Sequence, residues 1–83
     1  MAKSVYSEES MVLAKVLADA RREAGLHQAE LAEKLGKDQT IISNIERGQR
    51  RVDLIEFFGI ANAIGIDSVE LYRKIVLIWN SKR

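Results

Sequence analysis

The sequence predicts an all-α fold: a compact bundle of five helices in one domain covering residues 1–83. Two observations predict it. Apolar residues recur at three- and four-residue spacing in five separate runs, which is the period of a helix with one buried stripe. Glycines then stand where the first four runs stop, at Gly25, Gly36, Gly48 and Gly65. The expected helices are residues 7–25, 28–35, 39–47, 53–64 and 68–79, with the second and third forming a helix-turn-helix.

That pair occupies the stretch from Gln28 to Arg51. Leu31, Ala32 and Leu35 mark the stripe of its first helix, and Ile42 and Ile45 that of its second. Gly36 supplies the positive φ that ends the first helix, and Asp38 offers a carboxylate to the free N–H groups opening the second. So few residues separate the two that they must cross steeply, and Ala32 is small enough to let them approach. With Ile42 and Ile45 inward, Thr40, Ser43, Asn44 and Arg47 point outward, and Gln39 sits on the flank of the first turn. Amides, hydroxyls and a guanidinium are groups that read base edges or bind phosphate. An ordinary solvated helix would more often carry Glu and Lys, which are better helix formers.

The remaining elements follow in order. Residues 1–6 are unpatterned and expected to be mobile or lightly docked. Ser7, Glu8 and Glu9 read as a cap and an acidic first turn. Leu13, Val16, Leu17, Ala20 and Ala24 give that helix its core face, while Met11 and Val12 fall off the stripe and are expected to pack on the C-terminal helix. Asp53 is a candidate cap for the fourth helix, whose expected core face is Leu54, Phe57, Phe58, Ala61 and Ile64 with Ile60 at the edge. Gly59 in mid-helix costs about 1 kcal/mol relative to alanine. Asp67-Ser68-Val69-Glu70 has the form of a capping box with Asp in the first place. In the last helix, Ile75 to Trp79 are five consecutive apolar residues, more than one stripe needs. The surplus predicts a twofold dimer contact through Ile75, Ile78 and Trp79; the competing reading is a tail that folds back over the first helix and buries these residues within one chain.

Composition excludes several classes of function. There is no cysteine and one histidine, so neither a disulfide nor a self-sufficient zinc site is expected. No cofactor is implied. The apolar runs are too short to span a bilayer and the N-terminus lacks a signal-peptide core, which points to the cytoplasm. No nucleophile–base constellation, phosphate-cradling glycine loop or metal cluster is present, so an enzyme is not expected. Thirteen basic residues against twelve acidic give +1, little for a nucleic-acid binder. The excess is local: Lys37, Arg47, Arg50 and Arg51 stand against Asp38 and Glu46 within the central stretch.

Gln28 to Gly48 resembles the helix-turn-helix of the Cro/phage-repressor-like regulators, the XRE family. Leu31-Ala32, Leu35-Gly36, Gln39, Ile42-Ser43, Ile45-Glu46-Arg47-Gly48 and Arg50-Arg51 carry the resemblance, which extends from Leu17 to about Leu71. It departs at His27, where Ser or Thr usually caps the helix, at Lys37, where an apolar residue is usual, and at Val52, often proline. The resemblance implies the lambda-repressor-like DNA-binding fold, an ion pair between Arg21 and Glu46, and a phosphate contact from Gln28. It also places the loop bearing Arg50 and Arg51 beside the sugar-phosphate backbone.

Together these readings predict a sequence-specific double-stranded DNA-binding protein, a transcriptional regulator of the repressor kind, acting as a homodimer on a near-palindromic operator. Gln39, Thr40, Asn44 and Ser43 are the expected base readers, with Ile41 a weaker candidate for a thymine methyl. Gln28, Lys37, Arg47, Arg50 and Arg51 are the expected phosphate contacts. A helical protein-interaction module, or an antitoxin-type partner-binding protein keeping the fold, is the competing reading. Prophage repressor, antitoxin and restriction-modification controller all remain open within the first.

Overall fold

Side-chain caps start the helices and backbone turns at glycine stop the first four. In the computed structural model, which describes residues 7–82, α1 spans Glu8–Glu23, α2 Gln28–Leu35, α3 Gln39–Glu46, α4 Leu54–Ile64 and α5 Ser68–Ser81. The expectation for residues 1–6 lies outside the described residues. Ser7 Oγ accepts the Ser10 N–H at 3.1 Å, Asp38 Oδ1 that of Thr40 at 3.1 Å, Asp53 Oδ1 that of Glu56 at 2.7 Å and Asp67 Oδ1 that of Val69 at 2.8 Å. At α2, the Glu30 carboxylate accepts the His27 N–H at 2.7 Å, so the helix start is held from inside.

Gly36 makes the turn between α2 and α3 possible. Its φ is +67°, the left-handed region that a side chain disfavours. The Gly36 N–H then reaches Glu33 O at 3.1 Å and the Lys37 N–H reaches Ala32 O at 2.9 Å, satisfying two carbonyls that the helix end leaves over. Gly25 and Leu26 end α1 in the same manner, donating to Arg22 O at 2.9 Å and Arg21 O at 3.2 Å, so that helix stops at Glu23 rather than residue 25.

All five helices contribute to one core. Leu17 and Ala20 of α1, Leu31 and Ala32 of α2, Ile42 and Ile45 of α3, Ile60 and Ala61 of α4, and Leu71 and Ile75 of α5 are all buried. No helix among the described residues is long and apolar enough to cross a membrane.

Two expectations need correction and a third is extended. The core stripe of α4 centres on Phe57, Ile60 and Ala61, where the helix meets α2 and α5. Rotating that stripe inward turns Leu54 (79% exposed) and Phe58 (55% exposed) out to solvent. Met11 lines a groove with Ile78 of the C-terminal helix and also reaches Gly48: its thioether lies where a side chain at Gly48 would have to go. Asp67 caps α5 alone, since Glu70 turns to Arg73 at 3.6 Å instead of back to the Asp67 N–H.

One polar link crosses the core. Arg21 of α1 donates from Nε to Glu46 Oε2 at 2.7 Å and from Nη2 to Glu46 Oε1 at 2.9 Å, while its Nη1 donates to Leu26 O at 2.7 Å. Both side chains are less than 10% exposed. The carboxylate raises the arginine's pKa further, through the hydrogen bond first and the charge last, against opposing desolvation. Such a pair adds little net stability, but losing one partner strands the other charge out of water.

Two outcomes are expected in denaturant unfolding. Arg21→Ala and Glu46→Ala should each lose about 3–5 kcal/mol, with the double variant losing much less than their sum; costs below about 1 kcal/mol would contradict the burial. Gly59→Ala should gain roughly 0.5–1 kcal/mol, because the new methyl meets only Leu35 Cδ2, at an ordinary 3.6 Å.

Candidate nucleic-acid interface

Ile42 and Ile45 are 1% and 4% exposed, so α3 is keyed into the core and cannot roll about its axis. This leaves Gln39, Thr40 and Arg47 exposed and Ser43 and Asn44 half-buried, along one side of a helix only eight residues long.

Behind that surface, Glu46 does more than pair with Arg21. Its Oε1 also accepts from Gln28 Nε2 at 2.9 Å, and Gln28 Oε1 in turn accepts from Gln39 Nε2 at 3.5 Å. A chain of polar contacts thus runs from the core guanidinium of α1, through the end of α3 and the first residue of α2, to the first residue of α3. Gln28 therefore reaches the surface already oriented. At the other end of the helix, Arg47 Nη2 donates to Asn44 Oδ1 at 2.7 Å and lies 3.5 Å from Gln49 Oε1. The bond fixes the Asn44 amide plane, with its N–H groups left for an outside acceptor.

The remaining cations flank α3. Lys37 lies in the turn before it, and Arg50 and Arg51 in the loop after it. Arg50 is committed to Glu56 of α4, donating from Nη1 to Oε1 at 3.1 Å and from Nη2 to Oε2 at 2.8 Å, and Lys37 Nζ stands 3.9 Å from the same Oε2. Hydrogen bonding from Arg50 chiefly holds the Glu56 carboxyl below its ordinary pKa, and Glu56 raises that of Arg50. The Arg51 side chain is exposed. The sequence signal for Glu56 was its place three residues after Asp53, the spacing of a capping box that the structure forms; its pairing with Arg50 and Lys37 carried none, because that is set by how the loop closes.

The three residues expected to make a dimer contact are not brought to one surface. Ile75 is fully enclosed in the core of its own chain. Trp79 is half-buried, donates Nε1–H to Glu9 O at 3.1 Å and meets Tyr72 edge-on at 6.3 Å between ring centres. Only Ile78 remains open, at 37%, in a groove between α1 and α5 that Asp19, Glu23 and Lys74 line with charge. Leu77, 62% exposed, lines the same groove, but the larger exposed apolar surface lies elsewhere: Leu54, Ile55 and Phe58 of α4 and Val69 and Tyr72 of α5 are each more than half exposed and line one open groove. The adjacent pairs Leu54-Ile55 and Phe57-Phe58 were its signal, since neighbours 100° apart cannot both face one core. Among the described residues no His, Asp and Glu side chains gather as a metal would require.

Comparison with known proteins agrees with this geometry. Residues 17–71 match the family described as Helix-turn-helix. An uncharacterized HTH-type transcriptional regulator, y4dJ of Sinorhizobium fredii (strain NBRC 101917 / NGR234), is 41% identical over 51 residues, covering 61% of this chain and 66% of that protein. An XRE-family like protein from Pseudomonas syringae pv. tomato str. DC3000 superposes with a TM-score of 0.81 at 36% identity, over 92% of this chain and 93% of the other. The restriction-modification controller protein C.AhdI from Aeromonas hydrophila does so at 0.73 and 32%, over 78% and 98%. The controller C.Esp1396I, solved as a tetramer in complex with its natural 35 base-pair operator, gives 0.78 at 27%, over 84% and 92%. The family match alone covers more than half of the sequence, and the chain belongs to the XRE-family helix-turn-helix transcriptional regulators.

Proposed function

We propose that this protein binds double-stranded DNA sequence-specifically as a homodimer in the cytoplasm and represses transcription from a near-palindromic operator. The observation that carries the reading is the outward face of α3, held rigid by two buried isoleucines. Its groups match what base edges offer in the major groove. Gln39 has the bidentate amide that suits adenine, and Thr40, Asn44 and Ser43 face the neighbouring bases. Gln28, at the N-terminus of α2, is placed for a phosphate together with the free N–H groups there. Lys37, Arg47, Arg50 and Arg51 supply the charge, and Arg51 is the leading phosphate contact. Likeness to two restriction-modification controllers, one solved on its operator, supports the controller role among the regulator types.

A second copy fits the α4/α5 patch better than the α1/α5 groove. Apolar side chains dominate its lining and no charged residue contributes, so a twofold axis would set no like charges against each other. The patch also begins at Leu54, three residues after Arg51. Pairing there would keep both recognition helices on the side of the dimer that carries the arginine loops. Half-sites about 34 Å apart then follow from one turn of duplex.

Selection from random duplex DNA should recover a near-palindrome. Asn44→Ala should relax base preference at one position of each half-site, whereas Arg51→Ala should weaken all sequences alike and flatten the salt slope by about 1 per protomer. Parental binding by both variants would remove the assignment of this face. Ile55→Glu should give a folded monomer by sedimentation and Ile78→Glu should leave the dimer intact; the opposite pattern would move the twofold to the α1/α5 groove.

A further inference from the structure

Two of the cations assigned to phosphate are already paired with a carboxylate of this chain. Lys37 and Arg50 lie on opposite flanks of α3 in sequence, yet both converge on Glu56 in the first turn of α4. Arg50 offers Glu56 both of its Nη groups, at 3.1 and 2.8 Å, and Lys37 Nζ lies 3.9 Å away. The Asp53 N–H adds a backbone donor at 3.2 Å. A guanidinium fork, an ammonium group and a helix N-terminal N–H are the donors that a DNA phosphate would seek. Here they surround a side-chain anion that is only 15% exposed.

We propose that Glu56 is an internal counter-ion for the DNA-binding surface, competing with phosphate for Arg50 and Lys37 and so limiting sequence-independent affinity. The inference rests on the DNA-binding reading above. Competition, rather than orientation of Arg50 for DNA, follows from the geometry. Both Nη groups point at Glu56, and Nη1 also reaches Arg51 O at 3.3 Å. A phosphate using that end of the guanidinium must take the carboxylate's place, and one approaching from the side meets a like charge close by. Lys37 sits at the outer limit of an ion pair and is readily drawn away.

The charge can be removed without removing the cap. Glutamine serves at the third helical position as glutamate does, so Glu56→Gln keeps an acceptor for the Asp53 N–H while deleting the anion. Binding to a fluorescently labelled random-sequence duplex is measured against salt for the parent, Glu56→Gln, Glu33→Gln and the double variant Glu56→Gln/Arg50→Ala. Glu33→Gln makes the same change in net charge on the exposed side of α2. Glu56→Gln should bind on the order of fivefold tighter at low salt, with a slope steeper by about 1–2 per protomer. Glu33→Gln should give a smaller gain, and most of the Glu56→Gln gain should vanish with Arg50. Unchanged affinity and slope in Glu56→Gln, while the parent binds in a salt-dependent way, overturns the inference and leaves the function standing. Weaker binding with a flatter slope also overturns it and makes Glu56 a positioning residue for Arg50. A parent that fails to bind duplex DNA at any salt removes both.

Discussion

One buried carboxylate sets the geometry on which the surface of this protein depends. Glu46 closes α3, and its two oxygens receive three hydrogen bonds: two from Arg21 of α1 and one from Gln28 of α2. The three N-terminal helices therefore share a single anchor. A hydrophobic core tolerates sliding and repacking at modest cost, whereas a bidentate pair less than 10% exposed has one satisfactory arrangement. Arg21 and Glu46 are best understood as fixing the angle and rotation of α3 rather than as a large source of stability. Ile42 and Ile45 supply the burial that keeps α3 in place.

The same anchor explains how a polar face stays presentable. Short amide and hydroxyl side chains discriminate among base edges only when their positions are set in advance. Gln28 is held by Glu46 and lies against Gln39, and Arg47 holds Asn44. Each end of the eight-residue helix thus has a polar side chain in contact with a neighbour. Cations are treated alike: Arg47 and Arg50 have partners within the chain. With a net charge of only +1, the proposed DNA-binding surface would rely on placement more than on total charge.

Apolar surface is divided between two regions of different character. The α4/α5 patch is open and uncharged, and it follows directly on the loop carrying Arg50 and Arg51. The α1/α5 groove has charged residues along it beside the exposed Leu77 and Ile78. Five exposed large apolar side chains gathered in one place are more than a small monomer ordinarily shows, whereas a groove of the second kind is common between packed helices.

By itself the sequence determined the class of fold, the five helices to within a residue or two at most ends, and the face that α3 turns outward. These are local matters: helical period, capping carboxylates and glycines at positive φ act within a few residues of one another. Tertiary structure alone decided which of two adjacent apolar residues faced the core. Ile75 and Ile78 read alike along the chain, yet one is enclosed and the other open, because that depends on where α1 and α4 lie against α5. The pairing of Arg50 with Glu56 belongs to the same class. Six residues separate them, but only closure of the α3–α4 loop brings guanidinium and carboxylate within hydrogen-bonding distance.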